Sequence, residues 1–206
     1  MKTLKKIGCF LVAMTLSIGL LAGCDKKETA STETEKTAID PSGLHHVEIY
    51  VKDYGKIEVE LDGDTAPITV ENFLNLAQDG FYDGLTFHRI IDGFMIQGGD
   101  PKGNGTGGSD QTIKGEFEAN GVENQISHVR GTISMARSQS MDSASSQFFI
   151  VQSDSTYLDG QYAGFGTVTE GMDIVDQICK DTKVEDTNGT VLSENQPVIE
   201  SIVVVD

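Results

Sequence analysis

Alternation in two neighbouring segments constrains this chain most. Val47, Ile49 and Val51 alternate with more polar neighbours, as do Ile57, Val59 and Leu61, and Asp53-Tyr54-Gly55 lies between the two sets. Successive side chains of a strand point to opposite faces, so this is a β-hairpin with one buried face. Further short apolar segments at 86–91, 94–97, 133–137, 147–151, 163–168 and 198–205 read as strands, the first two joined by Asp92-Gly93. Only two segments carry a helical period. One starts at Pro67, repeats Val70, Phe73, Leu74 and Ala77, and stops at Asp79-Gly80; the other is 172–179, with Ile174, Val175 and Ile178. Strands with turns at short spacing predict a mainly β chain closed as a barrel.

The first 24 residues have another texture. Lys2, Lys5 and Lys6 precede a 16-residue apolar run from Ile7 to Ala22, and Leu21-Ala22-Gly23-Cys24 closes it. The run is short for a membrane span, which needs about 20 residues, and suits a signal peptide. Its end resembles a bacterial lipobox, in which the cysteine thiol takes lipid and the chain is cut just before it. The expected organisation is a lipoprotein signal peptide at 1–23, lipidated Cys24 with a flexible tether to residue 43, and one domain at 44–206. The stretch 25–43 is rich in Thr, Glu, Lys and Ser and has little to bury. As a coil it reaches on the order of 20–25 Å. The expected location is therefore extracytoplasmic, anchored by lipid to a bacterial membrane.

Charge and cysteine usage exclude other classes. Acids outnumber bases 32 to 15, for a net charge of −17. Nucleic-acid binding needs a basic footprint, so it is not expected. Of three cysteines, Cys9 leaves with the signal and Cys24 carries lipid, so Cys179 has no partner for an intrachain disulfide or a thiolate metal site. It is expected half-buried on the second helix.

Three motifs invite a chemistry and fail on context. Gly103-Asn104-Gly105-Thr106-Gly107-Gly108 matches G-x-G-x-x-G, but a dinucleotide site needs a strand before and a helix after. Ser138, Ser140, Ser143, Ser145 and Ser146 form a polar loop without a nucleophile elbow. His45-His46 has no third ligand at metal spacing. No metal and no cofactor is expected. The polar stretch 181–196 reads as a surface loop without an evident role.

The segment 87–100 is different. If its two strands are neighbours, Arg89 lies near Gln97, among apolar side chains where a cation must use its donors; the spacing alone fits equally an exposed arginine beside two core aromatics. This segment closely resembles the cyclophilin peptidyl-prolyl isomerase signature. The resemblance continues through 104–108, 131–136, 146–150, Leu158-Asp159-Gly160, Phe165-Gly166 and Gly171-Met172, in the family's order and near its spacing. It covers roughly 47–205. It implies an eight-stranded antiparallel barrel capped by two α-helices.

It also implies a site. Arg89 and Gln97 match the catalytic pair, the arginine donating to the prolyl nitrogen. Phe94, Met95, Phe149 and Leu158 match the proline pocket. Ala136, Arg137 and Gln147 match the peptide groove, with the Arg137 backbone facing the residue before proline. Tyr157 stands where relatives often hold Trp, and Tyr162 where many hold His; both are kept as substrate-binding positions. His88 faces the other side of its strand and is read as structural. The implied partners are proline-containing peptides and unfolded exported proteins. No interface stripe stands out, so a monomer is expected. A competing reading keeps the fold without the catalysis, as a peptide-binding or holdase module of the cell envelope.

Overall fold

A computed structural model describes residues 39–206. The expected signal peptide, Cys9, Cys24 and the tether as far as residue 38 lie outside the described residues. The alternating segments form strands β1 (Leu44–Val51) and β2 (Gly55–Asp62), with Val47 opposite Val59 and Ile49 opposite Ile57. Helix α1 (Pro67–Gln78) follows, then β3 (Phe87–Ile91), β4 (Met95–Gly98), β5 (Thr132–Met135), β6 (Phe148–Val151), β7 (Gly164–Glu170), helix α2 (Met172–Asp181) and β8 (Ile199–Val204). Three single-turn 3-10 segments, Glu118–Asn120, Thr156–Leu158 and Ser193–Asn195, were not foreseen.

All strand pairs are antiparallel, in the order β3-β4-β6-β5-β7-β2-β1-β8. The sheet curls until its outer strands meet. Thr86 bridges Val198, the Phe87 amide donates to the Pro197 carbonyl, and the Ile199 amide donates to the Leu85 carbonyl. This is the eight-stranded barrel with two helices that the sequence predicts. Its interior is aromatic: Phe73 of α1 packs within 5.1–5.4 Å of Tyr82, Phe148 and Phe165, ring centre to ring centre.

Helix α1 begins with Pro67 after Ala66, which has no side-chain oxygen to cap it. Buried Glu116 does so from a distant loop. Its carboxylate accepts from the Ile68 and Thr69 amides at 3.0 and 2.8 Å and from Thr69 Oγ1 at 2.6 Å. A negative charge there also suits the positive end of the helix.

One expectation needs correction, and two segments are held more firmly than expected. Cys179 is buried rather than half-buried, because α2 lays it against the barrel beside Val175 and Ile178; burial raises its thiol pKa to about 12. The stretch 181–196 is more than a surface loop. Val191 is buried, and the segment bonds back to β3, an outer strand whose backbone groups need partners. Ile39 to Gly43, the end of the expected tether, already meet the domain: Ile39 packs on its core and Gly43 exchanges bonds with Gly63 and Asp64.

Candidate active site

Strand alternation builds the site on the outside of the barrel. Ile90, Ile96, Phe148 and Ile150 point into the core, which sends Arg89, Met95, Gln97, Phe149 and Val151 to the other face. Register then assembles them: Arg89 opposes Gln97, Gln97 opposes Phe149, and Met95 opposes Val151. The proximity of Arg89 and Gln97 expected from spacing is therefore a cross-strand pair.

These side chains meet around a cavity of about 210 Å³ lined by Arg89, Phe94, Met95, Gln97, Ala136, Arg137, Phe149, Leu158 and Tyr162. Small-molecule sites usually enclose about 300–1,000 Å³, so this one suits a single residue's ring. A second cavity of about 260 Å³ shares Gln97, Ala136 and Arg137 with it and adds Gln147 and the 105–107 loop. Tyr157 stands outside the first cavity: it is 70% exposed at the rim, its ring 6.0 Å from that of Phe94. A cavity more than three times as large, about 680 Å³ between α1 and the 101–113 loop, is lined by no basic side chain. Size therefore does not pick the site; the half-buried cation does.

A directional hydrogen-bond chain orients that cation. The Gly105 and Gly107 carbonyls accept from Gln147 Nε2, at 3.2 and 2.7 Å. Carbonyls only accept, so they turn the Gln147 nitrogen toward themselves and its oxygen toward Gln97. Gln97 Nε2 donates to Gln147 Oε1 at 2.9 Å, and its own oxygen accepts from Arg89 Nη1 at 3.1 Å. On its other side Arg89 Nε donates to the Asn188 carbonyl at 2.9 Å. Burial lowers the arginine pKa, partly offset by Tyr162, Tyr157 and Asp186, but a guanidinium stays charged in proteins. Its remaining Nη protons have no hydrogen-bond partner among the described residues, and the side chain lines the first cavity.

Asp100 makes the loop rigid. Its buried carboxylate accepts from the Lys102, Asn104 and Gly105 amides. Burial alone would raise its pKa, but these backbone donors outweigh burial and hold it below the usual range. Gly107 packs so tightly on Asp100 that a Cβ would collide with the carboxylate. The Gly-rich stretch thus shapes the groove, and no helix follows it.

Arg137 turns its side chain into support. Its guanidinium carbon lies 5.0 Å from the Phe117 ring centre and 4.8 Å from that of Tyr162. Nε and Nη2 donate to the Gln161 carbonyl, and Nη1 to that of Ser138. Beneath the pocket, buried His128 stacks on Phe149 at 6.0 Å, with its nitrogens 2.9 Å from Asp159 and Ser134. Burial lowers the His128 pKa despite the nearby Asp159. Phe117, His128 and Asn188 carry no pattern that marks them in the sequence; only the fold brings them here. His88, read as structural, is buried beside Gly105, and the register shift between Phe87 and Arg89 takes it out of simple alternation.

A family model described as cyclophilin type peptidyl-prolyl cis-trans isomerase/CLD matches residues 46–204. The chain belongs to the cyclophilin family. This cyclophilin is 45% identical over 144 residues to peptidyl-prolyl cis-trans isomerase B of Bacillus subtilis, covering 70% of this chain and 92% of that protein. It is 42% identical over 167 residues to a probable peptidyl-prolyl cis-trans isomerase of Brucella suis, covering 75% and 80%. Among solved structures it superposes on a Cryptosporidium parvum cyclophilin type peptidyl-prolyl cis-trans isomerase, solved in the presence of dipeptide Ala-Pro. There the TM-score is 0.68 at 31% identity, over 78% of this chain and 99% of that one. The cyclophilin is accordingly an isomerase of peptidyl-prolyl bonds.

Proposed function

We propose that the chain accelerates X–Pro rotation through Arg89, without a covalent intermediate. Rotation is slow because the amide must lose resonance, a barrier of about 18–20 kcal/mol. In the twisted state the prolyl nitrogen gains a lone pair that the planar amide lacks. A donor placed there binds the transition state better than the ground state. The observation that carries this reading is the guanidinium tied at Nε and Nη1, with its other donors free beside a cavity of one-residue size. Phe94, Met95, Phe149, Leu158 and Tyr162 hold the proline ring while the preceding carbonyl swings. The backbone N–H and C=O of Arg137 make no hydrogen bond among the described residues and suit the residue before proline. A charge-assisted bond is worth about 1.5–3 kcal/mol, roughly 10–150-fold in rate; confinement in the pocket supplies the rest.

The setting belongs to the same proposal. The lipobox-like end at Cys24 and the polar stretch behind it support a domain tethered outside the bacterial membrane, acting on exported chains whose proline bonds limit folding. NMR exchange between the cis and trans peaks of an Ala-Pro peptide tests the chemistry. Wild type speeds exchange and Arg89→Ala loses most of the effect; binding without acceleration refutes the enzyme mechanism and leaves a holdase. Mass spectrometry of the mature N-terminus tests the anchor, which an unmodified Cys24 refutes.

A further inference from the structure

Segment 182–191 leaves α2 and folds back onto β3. Asp186 knots its tip: one carboxylate oxygen accepts from the Asn188 and Thr190 amides and the other from Thr190 Oγ1. The returning arm pairs with the strand. The Ile90 amide donates to the Gly189 carbonyl at 2.8 Å, the Val191 amide donates to the His88 carbonyl at 3.1 Å, and Thr190 bridges Arg89. Between knot and strand, the Asn188 carbonyl takes Arg89 Nε. Gly189 sits at φ +80°, and a Cβ there would run into the Ile90 carbonyl oxygen and the Ile91 side chain. Close approach and hydrogen bonds together fix the segment on β3.

That placement matters to the guanidinium. Five donors lie in one plane, so their directions are set once the plane is set. Gln97 holds one end only, and a single bond leaves the group free to turn about it. A second acceptor at Nε removes that freedom. We propose that Asn188 and Gly189 form a positioning element for isomerisation. The Asn188 carbonyl fixes the plane of Arg89 so that its unused Nη protons face the proline cavity. The inference rests on Arg89 being the donor proposed above, and gives the polar stretch before β8 a task.

The test uses the full chain with Gly189→Ala, Asp186→Ala, Arg89→Ala and the Arg89/Gly189 double variant. Peptide exchange is followed below and above saturation, together with the Arg89 Nε–H signal in ¹⁵N spectra. Gly189→Ala should lower kcat about tenfold or more, since small misplacements of a reacting group are that damaging. KM should stay within about twofold, and the Nε–H signal should move. Asp186→Ala unties the knot without adding an atom and should act in the same direction, which keeps the test alive should Gly189→Ala fail to fold. The double variant should be no slower than Arg89→Ala alone, because both changes remove one function. Unchanged kcat in both loop variants would overturn the proposal. So would an equal further loss from Gly189→Ala on the Arg89→Ala background, the mark of a merely structural role. A fully active Arg89→Ala would overturn the mechanism above and this inference with it, whereas an inactive Arg89→Ala beside fully active loop variants removes this inference alone.

Discussion

Replacing Arg137 by alanine tests how much of the pocket is held together from its rim. The guanidinium lies over two rings, 5.0 Å from Phe117 and 4.8 Å from Tyr162. Such contacts are worth about 0.5–1 kcal/mol each at a partly exposed site. Its bonds to the Gln161 and Ser138 carbonyls add about 1 kcal/mol net, the usual worth of such bonds facing water. Together these give about 2–3 kcal/mol. A domain of this size loses about 2–4 °C of Tm per kcal/mol, so a thermal melt should fall by about 5–10 °C. Arg137→Lys keeps the charge but neither the planar stack nor the fork, and should recover less than half of the loss. In the exchange assay Arg137→Ala frees Tyr162 at the cavity wall, so KM should rise while kcat stays within about twofold. A Tm within about 1 °C of wild type would refute the energetic account. A fall in kcat at constant KM would show that the guanidinium works on the reacting bond instead.

Other expectations concern the supports around the site. Gln147→Leu removes both the anchor to the Gly105 and Gly107 carbonyls and the acceptor for Gln97; kcat/KM should drop about tenfold, the value of one hydrogen bond or slightly more, and a drop under about twofold argues against the relay. Glu116→Ala leaves the start of α1 uncapped and should cost about 1–3 kcal/mol in urea unfolding, so an unchanged midpoint contradicts the cap. In an NMR titration His46, whose pKa the Asp206 hydrogen bond raises, should protonate first on acidification, before His88 and His128, whose pKa values burial lowers. The linkage has opposite signs. The two buried rings take stability away as pH falls below about 6.5, their unfolded value, toward their lower folded values. His46 loses its contribution as pH rises through its raised folded value. Finding His128 to titrate above His46 would refute the environment described for it.

The barrel was legible because its first two strands alternate, later ones are short apolar runs, and its helices repeat at three to four residues. Val47 to Leu61 announce a hairpin without help from the rest of the chain, and Pro67 with Asp79-Gly80 brackets α1. Three-residue 3-10 turns carry no period and could not be seen. Strand order was equally hidden, since nothing local says that β5 lies between β6 and β7. The same division runs through the site. Arg89 and Gln97 sit on consecutive strands of one hairpin, so their pairing follows from spacing. Phe117 beneath Arg137, His128 beneath Phe149 and the Asn188 carbonyl against Arg89 come from far along the chain. Cys179 was misplaced because a helix face shows which residues are apolar, not how deeply the partner surface covers them.

The meeting of Thr86 with Val198, and of β1 with β8, carries a consequence for how the chain comes into being. The first strand pairs with the last: Val47 lies opposite Val204 and Ile49 opposite Ile202. A chain emerging from its N-terminus therefore cannot finish its sheet until almost every residue is available. Contacts of such long sequence separation form late and slowly. Until β7 is available the hairpin of β1 and β2 has no further strand to pair with, and an isolated two-stranded hairpin is marginal in water. The architecture thus leaves β1 without its outer partner, and the barrel open at β3, until β8 is made. An isomerase of peptidyl-prolyl bonds is built so that its own barrel must wait for β8.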